Sequence, residues 1–298
     1  MKKHLFRIQR TDFKNKEDSR EIEEYSNHEE TDKALSQYFP LHVLEVPEET
    51  FTRKDLSVYG RDLATEWGNT LYVKPRLLNP ILPRTFSSPF KKVLKRTGFD
   101  KKVVPHEILS EGGMFVFGEE FLLLSDDLIK HKEALEKLAR NNGLNQPLYF
   151  VPSLTSLWHG HIDCDYQILD APKILYVSHN VIYEIGQNDG EHIRATLEEI
   201  TSNHGFELRE FKTEERNTSN DNEEPTTSLE MLEESLLKSI NHTKGINSIV
   251  NGRLFTNSIH PNEEEYLSHR GIKVVKVPIG KMAPGAGLRC LYGEFTTK

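Results

Sequence analysis

The sequence predicts a mixed α/β fold assembled from many short strands, and three observations carry that expectation. From Leu41 onward, short runs of aliphatic, β-branched and aromatic residues recur, each bounded by turn residues. Stretches with helical spacing of apolar residues alternate with them. Finally, 36% apolar and 28% charged residues in a chain of 298 supply a sizeable core beneath a well-solvated surface.

Taken in order, the first 40 residues are strongly polar, with acids clustered between Asn15 and Asp32. They read as a polar arm over 1–40, packed on or leading into a single domain over 41–298. The strand-like runs are Leu41–Val46, Thr70–Val73, Met114–Phe117, Phe121–Leu124, Leu148–Val151, Lys173–Ser178, Ile249–Val250 and Val274–Val277. Asp127–Asn141 keeps Leu128, His131, Leu135 and Leu138 near one helical face, with Ser125-Asp126 as a cap. Glu191–Asn203 and Leu229–Ile240 show the same spacing. Lys212–Ser228 is almost devoid of apolar residues and reads as an exposed, mobile loop (212–228) inside the domain, since similar strands resume after it.

Charge and composition narrow the partners. A net charge of −8 with no lysine or arginine run argues against nucleic acid. No apolar run approaches the roughly 20 residues of a membrane span, and the basic start Met1–Arg7 has no apolar stretch behind it. The two cysteines, Cys164 and Cys290, are too few for a disulfide scaffold, so a cytoplasmic setting is expected. Homo-oligomerisation is left open.

Four stretches concentrate reactive side chains. Cys290 follows Pro284-Gly285-Ala286-Gly287-Leu288-Arg289, a run whose glycines let backbone approach a ligand. Such a cysteine is a nucleophile if its thiol is activated, and otherwise a small core residue. Arg61-Asp62, followed by Gly68-Asn69, is either a surface pair or part of a site. Glu111-Gly112-Gly113 is a turn that could hold a carboxylate at the mouth of a strand. In Trp158-His159-Gly160-His161-Ile162-Asp163-Cys164, an extended backbone would point His161 and Asp163 to one face, pairing an acid/base with a carboxylate. His159 and His161 lack a third ligand at zinc spacing, so a metal is not expected.

Together these motifs resemble the guanidine-modifying enzymes, the pentein superfamily of arginine and agmatine deiminases, dimethylarginine hydrolases and amidinotransferases. Arg61-Asp62 with Gly68-Asn69 is similar to the family's R-D…G-N segment, and Glu111-Gly112-Gly113 to its E-G-G turn. His161-Ile162-Asp163 is similar to its H-[IL]-D motif. Gly285-x-Gly287-x-x-Cys290 resembles the nucleophile loop, and Asn251, Asn257 and Pro261 the strand before it. Met114, where deiminases often carry an acid, and Ala286, where a glycine is usual, depart from the pattern.

The resemblance implies a five-bladed pseudo-symmetric ββαβ propeller around a central channel. It implies that Cys290 attacks the central carbon of a guanidinium with His161 as general acid and base. Asp62, Glu111 and Asp163 would bind the guanidinium, and Asn257 and Arg289 the rest of the substrate. Arg289 would bind a substrate carboxylate, lower the thiol pKa, or form a salt bridge. His159 and Cys164 read as structural, and Arg76 and Arg84 as surface residues. No metal or organic cofactor is required, and the partner is a small cationic guanidino compound. Arg289 just before Cys290 favours a deiminase-type hydrolase over an amidinotransferase, whose loop usually carries histidine there. A non-catalytic binding protein on the same propeller is the reading from another class.

Overall fold

The computed structural model describes residues 1–10, 29–46, 60–78, 88–154, 161–186, 190–213, 246–279 and 288–298. The expected loop beyond Thr213, the helix Leu229–Ile240, the glycines before Leu288, and Arg84 and His159 lie outside them, as does the Arg76 side chain.

Fifteen strands form five three-stranded sheets among the described residues. The first sheet holds β1 (Lys2–Arg10), β2 (Leu41–Val46) and β15 (Gly293–Thr297). Next come β3 (Ala64–Trp67), β4 (Thr70–Val73) and β5 (Lys102–Pro105). β6 (Phe115–Phe117), β7 (Leu122–Ser125) and β8 (Leu148–Val151) form the third. The fourth has β9 (Tyr166–Leu169), β10 (Ile174–Val177) and β11 (Glu207–Glu210). The fifth has β12 (Ile249–Val250), β13 (Arg253–Thr256) and β14 (Lys273–Lys276).

Every sheet repeats one connectivity: an antiparallel pair whose central strand takes a parallel third strand. A parallel partner needs a crossover, and helices provide it. Pro89–Arg96 lies between β4 and β5, Lys132–Asn141 between β7 and β8, Glu191–His204 between β10 and β11, and Pro261–His269 between β13 and β14. The helix starts obey local chemistry. Ser88 caps the amide of Lys91 ahead of Pro89, and His260 accepts from Asn262 ahead of Pro261.

Each central strand is buried on both faces, so β4, β7 and β10 read as continuous apolar runs. The core divides into clusters that join sheets neighbouring in sequence. Phe6 and Phe295 meet Leu71 and Val73; Trp67 and Tyr72 meet Phe115 and Leu124; Val116 and Leu123 meet Ile168 and Leu175; Tyr176 meets Leu254. A fifth cluster joins Phe255 of the last sheet to Leu5 of the first.

The N-terminal arm needs correction. Lys2–Arg10 is the central strand of its sheet, antiparallel to β15 and parallel to β2. Its polar residues are buried because they are paired: Arg7 makes a bidentate ion pair with Asp32, and His4 stacks on Phe295 at 5.0 Å. Among the described residues, no helix is long and apolar enough to cross a membrane.

Candidate active site

The site residues sit at one recurrent position, the turn that leads into the outer strand antiparallel to a sheet's central strand. A 3-10 turn, Gly60–Leu63, precedes β3 and carries Arg61 and Asp62. Gly112–Met114, capped by Glu111, precedes β6. Ile162–Cys164, with His161 at its N-cap, precedes β9. Asn247 precedes β12, and Leu288–Leu291, carrying Arg289 and Cys290, precedes β15. The turn at 60–63 packs against both Leu288–Leu291 and Gly112–Met114, which in turn touches Ile162–Cys164.

The two glycines make that packing possible. A Cβ on Gly113 would lie 2.5 Å from His161 Nδ1, and one on Gly112 would lie 2.7 Å from Arg61 Nε. Any side chain at 113 would push the imidazole aside.

Two neighbouring groups result. Side-chain ligand atoms of Asp62, Glu111 and His161 lie within 4.8 Å of one another, and so do those of Asp163, Cys164 and Cys290. His161 Nε2 is 4.0 Å from Asp62 Oδ1 and 3.9 Å from Glu111 Oε2. Arg61 Nε is 3.8 Å from Asp163 Oδ2, while Arg61 Nη2 donates to the carbonyl of Phe115 at 2.8 Å. Asp163 Oδ2 is buried and has no hydrogen-bond partner among the described residues.

Electrostatics follow from this crowding. Burial pushes the Asp62 carboxyl up to about 6, against the pull of His161. Burial alone would lower His161, but Asp62, Glu111, Asp163 and Cys290 outweigh it and raise the imidazole to about 10. Burial likewise works against Glu111, yet pairing with His161 and Lys74 holds it below the usual carboxylate range. Lys74 donates to Glu111 Oε1 and was not singled out from the sequence. The Asp62–Glu111–His161 set has donors a divalent cation could use, and such a cation would have to displace the imidazole proton.

Asn247 was also missed. It is fully buried, and its Oδ1 accepts from the Cys290 amide at 2.8 Å. Its Nδ2 donates to the carbonyl of Asp163 at 3.2 Å, and its own carbonyl accepts from the Arg289 amide at 3.2 Å. One side chain thus ties the histidine turn to the cysteine turn. Asn257, the asparagine the sequence nominated, lies just past β13, with Oδ1 buried and unpartnered, and no contact among the described residues joins it to the cluster.

One other expectation changes, and one of the readings of Arg289 gains a contact. His161 and Asp163 do not share a strand face: the backbone turns between them, so His161 faces Asp62 and Glu111 while Asp163 faces Arg61 and the thiols. Arg289 is buried at 7% exposure, with its Nε 3.9 Å from Glu294, inside a charge network with Arg61 and Lys3. Lys3, Arg289 and Arg61 overcome burial and hold Glu294 at about 2. A cavity of about 720 Å³ on the other side of that network is lined by Lys3, Arg61, Glu66, Lys101 and Glu294, and not by Cys290 or His161.

Five sheets of one connectivity, with several of their leading turns in contact, make a mixed α/β fold. Solved structures carry the same fold at low sequence identity. DDAH from Pseudomonas aeruginosa, a cysteine-to-serine mutant complexed with citrulline, is 12% identical with a TM-score of 0.57, covering 99% of this chain and 100% of that one. The N-terminal domain of ArgZ bound to product, an arginine dihydrolase from the ornithine-ammonia cycle in cyanobacteria, is 11% identical with a TM-score of 0.61, covering 99% and 98%. Agmatine deiminase from C. jejuni is 13% identical with a TM-score of 0.54, covering 98% and 92%. No protein-family model and no curated protein matches the sequence.

Proposed function

We propose that this protein hydrolyses a guanidino compound through a covalent intermediate on Cys290. We also propose that its five sheets close into a five-bladed propeller with the leading turns around a central channel. The cluster joining Phe255 to Leu5 supports closure, as do the contacts that run from turn to turn and through Asn247 back to Cys290.

The observation that carries the reading is that four turns far apart in sequence bring Asp62, Glu111 and His161 into one group and Asp163, Cys164 and Cys290 into another, near enough for Asp163 and Cys290 to act on the His161 charge. A guanidinium is planar, cationic and resistant to attack because its charge is delocalised. Carboxylates at its edges fix the plane and take up charge through paired hydrogen bonds. Asp62, Glu111 and Asp163 Oδ2, which takes no hydrogen bond among the described residues, supply that edge. Glu111 exchanges part of its pairing with Lys74 for the substrate.

With the carbon held, the Cys290 thiolate adds to it. His161, holding its proton at neutral pH, gives it to the departing amine or ammonia, leaving a thiouronium on sulfur. The neutral imidazole then takes a proton from water, whose oxygen attacks the same carbon and releases a ureido product and the thiol. Asn247 fixes the Cys290 backbone throughout. Arg289, enclosed beside Glu294, is read here as balancing buried charge and not as a clamp on a substrate carboxylate.

The test is an assay for ureido product and ammonia over arginine, agmatine, methylated arginines and guanidino acids, with wild type and Cys290→Ser. Wild type should turn over at least one of them and Cys290→Ser none. Activity retained by the serine variant would sink the mechanism, and product that forms only with an added acceptor amine would assign amidino transfer.

A further inference from the structure

Cys164 has no part in the chemistry above, yet it is placed against the nucleophile. The chain contains two cysteines, 126 positions apart, and the fold brings both sulfurs and an Asp163 carboxylate oxygen within 4.8 Å of one another. Asn247 binds the backbone on both sides, through the Asp163 carbonyl and the Cys290 amide, and lies 4.0 Å from the Cys164 sulfur. Cys164 is fully buried, whereas Cys290 keeps 7% exposure, so a small solute entering the site meets Cys290 first.

We propose that Cys290 and Cys164 form a thiol-oxidation site, at which a hydroperoxide converts the pair into a disulfide and withdraws the nucleophile. In the first step the Cys290 thiolate attacks a peroxide oxygen. The S–O bond forms, the O–O bond breaks, and hydroxide (or alkoxide) leaves, giving a sulfenic acid. In the second step the Cys164 sulfur attacks the Cys290 sulfur. The S–S bond forms and the S–O bond breaks; water leaves, carrying the Cys164 proton by way of Asp163. The two thiols lose two electrons and the peroxide gains them.

The arrangement favours the second step over further oxidation. The Cys164 thiol already lies 3.7 Å from Asp163 Oδ1, a carboxylate able to take its proton. The contact with Cys290, and burial after it, keep Cys164 protonated. Sulfenic acid carries no thiolate charge, so the charge of Cys290, one of the smaller causes, disappears once Cys290 is oxidised, while burial still favours the Cys164 thiol. A disulfide needs sulfurs about 2.05 Å apart, so the two side chains must close in from a separation within 4.8 Å.

The inference rests on the proposed function only for the reactivity of Cys290. It is tested by treating wild type with hydrogen peroxide near stoichiometry, blocking free thiols, and digesting with trypsin without reductant. Cleavage after Arg140, Lys173 and Arg289 leaves Cys164 in peptide 141–173 and Cys290 in peptide 290–298. The expected result is a cross-linked pair of these peptides, lighter by two hydrogens than their sum, appearing as activity is lost and vanishing as dithiothreitol restores it. In Cys164→Ala, Cys290 should instead advance to sulfinic and sulfonic acid, with activity that reductant does not return.

Wild type that yields only free thiols or over-oxidised Cys290 would overturn the proposal, as would a Cys164→Ala protein that recovers as fully as wild type. If that variant does not fold, the wild-type cross-link decides alone. A cross-linked protein that turns over no guanidine would leave this inference standing and refute the function; an active protein with no cross-link would do the reverse.

Discussion

An imidazole in water titrates near 6.5, yet His161 is raised to about 10. Its neighbours decide this: burial favours the neutral ring, but Asp62, Glu111, Asp163 and Cys290 surround it with negative charge. A residue expected to serve as acid and base therefore begins as an acid. The same shift is a stability statement. Between 6.5 and about 10 the folded protein binds a proton that the unfolded chain does not, so this contribution is full below 6.5 and is lost as pH rises through about 10. For His161→Gln, denaturant unfolding should show a deficit against wild type that is largest near pH 6 and shrinks toward pH 10. A deficit that grows with pH would contradict the assignment. Activity of the variant should fall by about 10²–10⁴-fold, the usual worth of a positioned acid/base.

The leading turn is the element that matters most. Four short segments, 60–63, 111–114, 161–164 and 288–291, each precede an outer antiparallel strand, and each brings one or two functional groups. Short helical turns do this because they project side chains from a backbone that the next strand holds rigidly. Gly113 shows how little room remains. Gly113→Ala should displace the His161 ring and lower kcat/KM by about 10²-fold, the scale of a 1 Å misplacement, while thermal unfolding moves little, since the clash is with one side chain. A variant with wild-type activity would mean the ring is held less tightly than its 2.5 Å approach implies. Position in the repeat also explains the asparagines. Asn257 was nominated from a motif, whereas Asn247 stands where the other turns carry their functional groups, just before an outer antiparallel strand. Counting back from Ile249–Val250, a strand legible in the sequence, would have found it.

At the scale of the molecule, what was legible followed burial. The central strands β4, β7 and β10 are apolar on both faces, and their runs stand out from turns and helices. β1 did not, because His4 and Arg7 are buried in pairs whose partners, Phe295 and Asp32, lie far along the chain. β14 showed through its valines as Val274–Val277, whereas β5, exposed at Lys102 and Pro105, lacks such a signal. The gathering of Asp62, Glu111, His161 and Cys290 was reachable only through motif order, since nothing local places residues more than two hundred positions apart together. Closure of the last sheet onto the first can be measured across Phe39 and Phe255, whose rings meet edge to face at 4.9 Å. A double-mutant cycle to leucine should give a coupling of about 0.5–1.5 kcal/mol, and additive effects would argue against that contact. The central claim, that a thiol assembled with these distant carboxylates captures a guanidinium carbon, is tested most directly by acid-quenching the enzyme during turnover and weighing peptide 290–298. The account predicts a peptide heavier by the substrate less its departing amine, present in wild type and absent from Cys290→Ala. Turnover with that peptide unmodified at every quench time, or an adduct on another residue, would contradict it.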